Sequence, residues 1–419
     1  MLRIFECTDS LLPVVDGVGR VVENYCRRLS ERGEEVYAVC PMNDTGYRGK
    51  LSYEIVDFSS TVSMPKTPQY KAGVANLDAH YVKRIDMIRP DIVHVHSPAT
   101  AGWEGVRLAK KWDVPLVGTF HSKFYDDMYN MTKSRAIAHV GASMIGEFFS
   151  NCDEVWTVSR YAACELQSYG YRGEIHIVRN GTNANFADPA PMEDVDELIG
   201  GRGEPVFLYV GQIDRKKNIG LILDACGVLK RRGCRFRFVL AGQGRDHDRF
   251  RKQAQALDLE DRVVFTGHIR DPHLLAGLYK RALLFTFPSL YDTAGLVVSE
   301  AGSMGTPSVA LCGSAPAEII IDGHNGFLCQ ETPESLADAM QSALDDPQRT
   351  HAMGENAYRE FPVPWDGVMD EVQARYAQLI ESGRKPKKRL FRRAERDEFN
   401  TISEDARVKE ADEEETEAE

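Results

Sequence analysis

Short apolar spans alternate with stretches of helical periodicity along the first half of this chain, and the pattern starts again after a glycine-rich break at 200–203. Residues 2–7 form an apolar run. From 18 to 32 the apolar residues Val18, Val21, Val22, Tyr25, Cys26 and Leu29 recur at the spacing of one helix face, and Gly33 ends the pattern. Further strand-like spans lie at 35–40, 91–96 and 115–120, with helical spacing at 102–111. After the break they recur at 205–211, 235–241, 262–266 and 282–287, with helical spacing at 219–232. Strands separated by helices pair in parallel and need helices on both sheet faces. At 419 residues the chain also exceeds a single core. The expectation is an α/β chain of two doubly wound, Rossmann-like domains.

Apolar content of 43% and charged content of 27% are those of a globular protein. No apolar run approaches the roughly 20 residues that cross a bilayer. The start, Met1 to Glu6, is too soon acidic for a signal peptide. The nine cysteines are scattered without a CxxC pair, which reads as reduced thiols of a cytosolic protein, without a disulfide frame or zinc site. Most of the net charge of −12 belongs to residues 397–419, which hold eleven acids and two bases. Just before them, a block from Arg384 to Arg396 holds eight bases and one acid. Such runs cannot bury a core, so a solvated tail is expected. The sharper reading has the basic block, with Leu390 and Phe391 inside it, touching an anionic membrane surface. Because the body is slightly acidic, nucleic-acid binding is not expected.

The segment 285–310 carries the strongest chemical signal. A strand-like run ends at Pro288 and Ser289, a polar loop holds Asp292, Gly295 opens a helix, and Glu300 follows Asp292 by eight residues. The amides of Ala294, Gly295, Leu296 and Val297 are then the free donors of a helix N-terminus, suited to a diphosphate. Glu300, one turn further in, can accept from ribose hydroxyls. An ordinary strand–loop–helix unit with a solvated acid stays open as the alternative. Parallel sheets bind ligands beyond their carboxyl ends, and Gly17, His96, His121, Gly211 and Lys217 fall at such ends, so the cleft between the sheets is the expected site. Gly242-Gln243-Gly244 lacks the third glycine of a dinucleotide fingerprint and reads as a tight turn.

Taken in order, several short pieces carry a resemblance: Leu12 to Val18, Asp91 to Pro98, Gly118-Thr119-Phe120-His121-Ser122, Thr157-Val158-Ser159, Val178 to Gly181, Tyr209-Val210-Gly211 through Lys217-Asn218, Pro288 to Pro307, and Glu318 to Phe327. From about Ile4 to Ile380 the chain resembles a retaining group-1 (family 4) glycosyltransferase with the GT-B fold. The stretch Thr119 to Tyr129 is similar to the branch that glycosylates diacylglycerol. The resemblance implies an acceptor-binding domain at 1–180, a nucleotide-sugar domain at 181–365, and a helix at about 366–383 returning to the first domain.

It also implies roles. His121, Asp292 and Lys217 are the expected catalytic residues. Gly17, Gly211, Gln212, Arg215, Lys217, Ala294 to Val297 and Glu300 are expected at the donor, and His96, Phe124 and Tyr125 at the acceptor. No cofactor or metal is expected, since fixed cations and amides can neutralise the leaving diphosphate. Three positions depart from the family pattern: Asp292 stands for a glutamate, Ala294 for a phenylalanine, and Gln212 for an arginine whose charge Arg215 or Lys216 would replace. The expected reaction moves a hexose, by family frequency glucose from UDP, to a lipid such as diacylglycerol, by an enzyme that is cytoplasmic or peripheral on the inner membrane face. A cell-wall or exopolysaccharide glycan acceptor, a sugar-nucleotide epimerase, and a regulatory subunit that binds a sugar nucleotide without transfer are the alternatives.

Overall fold

The structure, a computed structural model, describes residues 1–11, 16–41, 50–60, 62–64, 67–182, 188–201 and 203–384. Residues 12–15 of the first motif, and 385–396 of the basic block with the acidic run after it, lie outside the described residues. In chain order the strands are β1 (Arg3–Cys7), β2 (Glu35–Pro41), β3 (Glu54–Phe58), β4 (Val62–Met64), β5 (Thr67–Ala72), β6 (Ile92–Val95), β7 (Leu116–Phe120), β8 (Glu154–Thr157) and β9 (His176–Ile177). They continue as β10 (Val206–Val210), β11 (Arg237–Ala241), β12 (Val263–Gly267), β13 (Leu284–Phe287), β14 (Ser308–Leu311) and β15 (Gly326–Cys329).

Two sheets result, ordered β3-β2-β1-β6-β7-β8-β9 and β12-β11-β10-β13-β14-β15, with every pair in them parallel. Strands β4 and β5 form a separate antiparallel pair. Burial explains the pattern: every residue of β6, β7, β13 and β14 is buried, as a sheet covered by helices on both faces requires. These are the two Rossmann-like domains of a GT-B architecture, as expected. Of the strands that went unnamed in the sequence, β3 and β8 carry acids, Glu54 and Asp57 in one and Glu154 in the other, which interrupt an apolar run, and β9, β14 and β15 are only two to four residues long.

One face of the first sheet is covered by a core with Val93, Leu116, Phe148 and Phe149. The other face joins Ile4, Tyr25 and Val117 to Trp365, Met369, Val372 and Tyr376, so the last helix, Trp365–Ser382, completes a core begun by the first strand. Each such large side chain contributes roughly 1.5–3 kcal/mol by leaving water. The second sheet has its own core, with Phe207, Leu240, Phe285 and Val309.

Strand order reverses between β1 and β6 in the first sheet and between β10 and β13 in the second. Such switch points open a crevice at the carboxyl ends of the strands, because the flanking connections depart to opposite faces. Glu6 and His96 lie at the first reversal, and Lys217 and Asp292 follow the two strands of the second.

Candidate active site

The loop after β10 is held by glycines. Gly211 has φ +155, and its N–H donates to Ala241 O at 3.0 Å. A Cβ on Gly242 would sit 1.8 Å from Gly211 O and one on Gly244 2.2 Å from Ile213 O, so these glycines are there for close backbone approach. The turn expected at 242–244 is therefore a spacer for the Gly211 loop. Tyr209 Oη donates to Gln212 O at 2.8 Å and fixes the next residues. A short helical turn, Arg215–Lys217, capped by Asp214, then presents three basic side chains that point to different partners. Arg215, 65% exposed, pairs with Asp246 at 3.2 Å. Lys216 lies 3.8 Å from the Tyr291 ring centroid and 3.7 Å from Asp127. Lys217 Nζ donates to both oxygens of Asp292, at 2.7 and 2.8 Å.

Beyond β13, Gly295 takes φ +62, and a Cβ there would lie 2.8 Å from Pro316 Cγ, so only glycine turns the chain into helix Leu296–Ser303 here. Among the described residues no group accepts from the amides of Ala294, Gly295, Leu296 or Val297. Glu300 accepts from Tyr279 Oη at 3.1 Å. Burial pushes its carboxyl above the usual range, opposed by the charge of Arg20 and by the Tyr279 hydroxyl. Arg20 lies on helix Gly17–Glu31 of the other sheet's domain, and nothing in the local sequence marked it. Gly17 opens that helix with nothing within 4 Å of an added Cβ.

On the opposite wall His121 follows β7 and is 8% exposed. Its Nε2 lies 3.0 Å from His96 Nδ1, and His96 Nε2 lies 2.7 Å from Glu6 Oε2. His96 thus has both nitrogens committed to protein partners and only 2% exposure, which leaves it no free polar atom for an acceptor. Glu6, His94 and His96 bring ligand-type atoms within 4.8 Å of one another. All four imidazole nitrogens already have hydrogen-bond partners, so these residues form a hydrogen-bonded chain. Phe124 packs on Phe120 with centroids 5.9 Å apart. The N–H of Tyr125 donates to Tyr169 Oη at 2.8 Å, and its ring lies against His139. Both aromatics are packed onto the first core.

The two walls are joined. Thr293 Oγ1 donates to His121 O, Ser159 Oγ donates to Thr293 O at 2.6 Å, and Lys123 Nζ donates to Leu290 O at 3.3 Å. Tyr291 Oη donates to Asp127 at 2.5 Å. Ala294 packs on one face core of the first sheet and Leu296 on the other. Glu318, read in the sequence as a family position or a helix acid, accepts from the N–H groups of Arg160 and Tyr161 and so caps helix Arg160–Ser168 of the other wall. The segment 290–296 carries the others of these contacts between the two walls.

Known proteins resemble this chain in sequence and in fold. A family model described as "Glycosyltransferase Family 4" matches residues 15–186, and one described as "Glycosyl transferases group 1" matches residues 176–360. The chain is 27% identical to a glycogen synthase of Mycobacterium tuberculosis, covering 93% of this chain and 98% of that one. It is 24% identical to an alpha-monoglucosyldiacylglycerol synthase of Streptococcus pneumoniae, covering 85% of this chain and 82% of that one. The structure of Anabaena Alr3699/HepE in complex with UDP-glucose superposes with a TM-score of 0.72 at 18% identity, over 90% of this chain and all of that one. With two parallel sheets and both matched family models in order along them, the chain belongs to the group-1 glycosyltransferases of GT-B fold, which transfer a sugar from a nucleotide sugar.

Proposed function

We propose that the enzyme transfers glucose from UDP-glucose to a lipid acceptor such as diacylglycerol, with retention at the anomeric carbon. The observation that carries the donor side is the pairing of Lys217 with Asp292 beside the unpartnered amides of Ala294 to Val297. A departing nucleoside diphosphate gains negative charge, and a fixed cation with helix N-terminal amides stabilises it where it develops. In this reading Lys217 leaves Asp292 for the phosphates, Asp292 turns to the sugar side, Glu300 accepts from the ribose hydroxyls, and Gly17 and Gly211 let the donor approach two backbones closely. His121 donates to an oxygen of the donor sugar. Attack on the face from which the diphosphate leaves needs no covalent nucleophile, and the leaving phosphate accepts the acceptor's proton. Gln212 leaves the phosphates one cation short. Arg215 is turned to Asp246 and Lys216 to Tyr291, so Lys216 is the nearer replacement.

Residues 1–180 form the acceptor side and 181–365 the donor side of this proposal. The lipid reading is supported by helix Arg135–Phe149, on which Ile137, Val140 and Met144 are 55%, 62% and 64% exposed along one face. It packs on helix Phe124–Thr132, beside the cleft, with Gly141 leaving room for the Met128 thioether. Lys133 and Arg135 flank the stripe. An apolar helix face rimmed by bases suits an anionic membrane surface. The basic block would add to it, although its first residue, Arg384, donates to Ala109 O at 3.3 Å on the body. No helix among the described residues is long and apolar enough to cross a membrane.

Release of UDP from UDP-glucose, measured with anionic vesicles that do or do not contain diacylglycerol, tests this reading. Release that requires diacylglycerol supports it. The glycogen synthase likeness favours a glycan as the second reading, and release driven by a soluble glucan in place of the lipid would establish that one.

A further inference from the structure

Glu6 occupies a strand position at the first switch point with no solvent exposure, between the apolar Phe5 and Cys7. Its oxygens serve two different neighbours. Oε1 accepts from Tyr376 Oη at 3.1 Å, and Oε2 lies 2.7 Å from His96 Nε2. His96 Nδ1 lies 3.0 Å from His121 Nε2, with the two ring planes 24° apart. His121 Nδ1 has no hydrogen-bond partner among the described residues.

Most hydrogens in this chain are fixed by its ends. Tyr376 donates to Glu6, so its oxygen must accept from His94 Nδ1 at 2.6 Å. His94 Nε2 then accepts from the Thr119 hydroxyl at 2.7 Å. Only the direction of the Glu6–His96–His121 line stays free, and each imidazole in it is neutral with one hydrogen to place.

We infer that Glu6 is a positioning residue for His121: the presence or absence of a hydrogen on Glu6 Oε2, relayed through His96, selects which His121 nitrogen carries the hydrogen. With Glu6 protonated, Oε2–H donates to His96 Nε2, His96 Nδ1–H donates to His121 Nε2, and His121 Nδ1–H is a donor. With Glu6 ionised, every arrow reverses and His121 Nδ1 becomes an acceptor. The Oε2 proton passes to His96 Nε2, the His96 Nδ1 hydrogen to His121 Nε2, and the His121 Nδ1 hydrogen leaves to solvent, so one proton is lost and no imidazole ends charged. The functional consequence rests on the proposed role of His121 as a donor to the sugar.

The groups that face Glu6 leave it as the one that changes state near neutrality. His94 comes from β6 and His96 from just after it, Tyr376 from the last helix, Tyr25 and Cys26 from helix Gly17–Glu31, and Cys7 from its own strand. Burial raises the tyrosines and cysteines and lowers the histidines, His96 to about 3. Burial raises the Glu6 carboxyl to about 8, offset in part by the Tyr376 hydroxyl.

The test is a pH titration of the full chain labelled with ¹⁵N-histidine, in which ¹⁵N–¹H correlations report the tautomer of each ring and His121→Asn assigns the signal. The expected result is hydrogen on His121 Nδ1 at pH 6 and on Nε2 at pH 9.5, with Glu6→Gln, whose oxygen accepts from Tyr376 and whose NH2 is thereby left to donate to His96, held in the first form throughout. In parallel, donor turnover of the native enzyme should fall about tenfold per pH unit above the tautomer midpoint, and Glu6→Gln should lack that limb. A single His121 tautomer across the range in the native chain overturns the relay, whatever the activity does and whether or not the variant folds. A tautomer change with undiminished turnover of His121→Asn keeps the relay and instead removes the sugar-donor role of His121.

Discussion

Lys217 and Asp292, 75 residues apart in sequence, form a two-pronged ion pair at the carboxyl end of the second sheet. Both are largely covered, at 13% and 22% side-chain exposure, and the Lys217 ammonium also lies 5.4 Å from the Tyr291 ring centroid. The pair matches the Lys217 charge in a largely covered position, with Asp292 two residues before Ala294 in the chain.

On the proposed function, replacing Lys217 by alanine removes a charge-assisted contact to the departing diphosphate. Such contacts are worth about 1.5–3 kcal/mol, so kcat/KM for the donor should drop on the order of 10- to 150-fold. Steady-state UDP release with acceptor in excess measures it, and unchanged kcat/KM would refute the clamp.

Glu300→Ala should weaken nucleotide binding by a similar factor, since the carboxylate is the expected partner of the ribose hydroxyls. Calorimetric titration with UDP alone reads this without turnover. Affinity equal to that of the native chain would assign Glu300 to holding Tyr279 and balancing Arg20 only.

Gly17→Ala separates fold from ligand. An added Cβ meets no atom within 4 Å, and the position begins a helix, so the melting temperature should hold or rise slightly. If the donor phosphates pass close to this backbone, KM for the donor should nevertheless rise several-fold. A donor KM that stays put would place the phosphates elsewhere.

The buried Glu6 makes stability depend on pH in a particular window. Its carboxyl titrates near 8 in the fold against an ordinary value of 4.5. As pH rises above 4.5 the unfolded chain gives up this proton and the folded one keeps it, so the native state loses stability until about pH 8 and levels off beyond. Glu6→Gln abolishes that trend. The melting-temperature difference, variant minus native, should therefore increase between pH 5 and 8; a constant difference would mean that Glu6 is ionised throughout.

Periodicity along the chain determined the α/β alternation, the approximate limits of β1, β2, β6, β7, β10, β11, β12 and β13, and the Asp292–Gly295–Glu300 loop, because backbone conformation and the identity of the buried face are properties of neighbouring residues. The tertiary structure alone decided which polar groups meet. Tyr376 reaches Glu6 across 370 residues, Glu318 caps a helix of the opposite wall, Arg20 faces Glu300, and Arg215 turns outward to Asp246. A histidine just after a strand reads the same whether one ring nitrogen is left without a protein partner, like His121, or both are committed, like His96. That difference depends on strand order and on the closing of two domains over one loop, and buried polar partners, chosen by geometry over long separations, leave no periodic trace in the sequence.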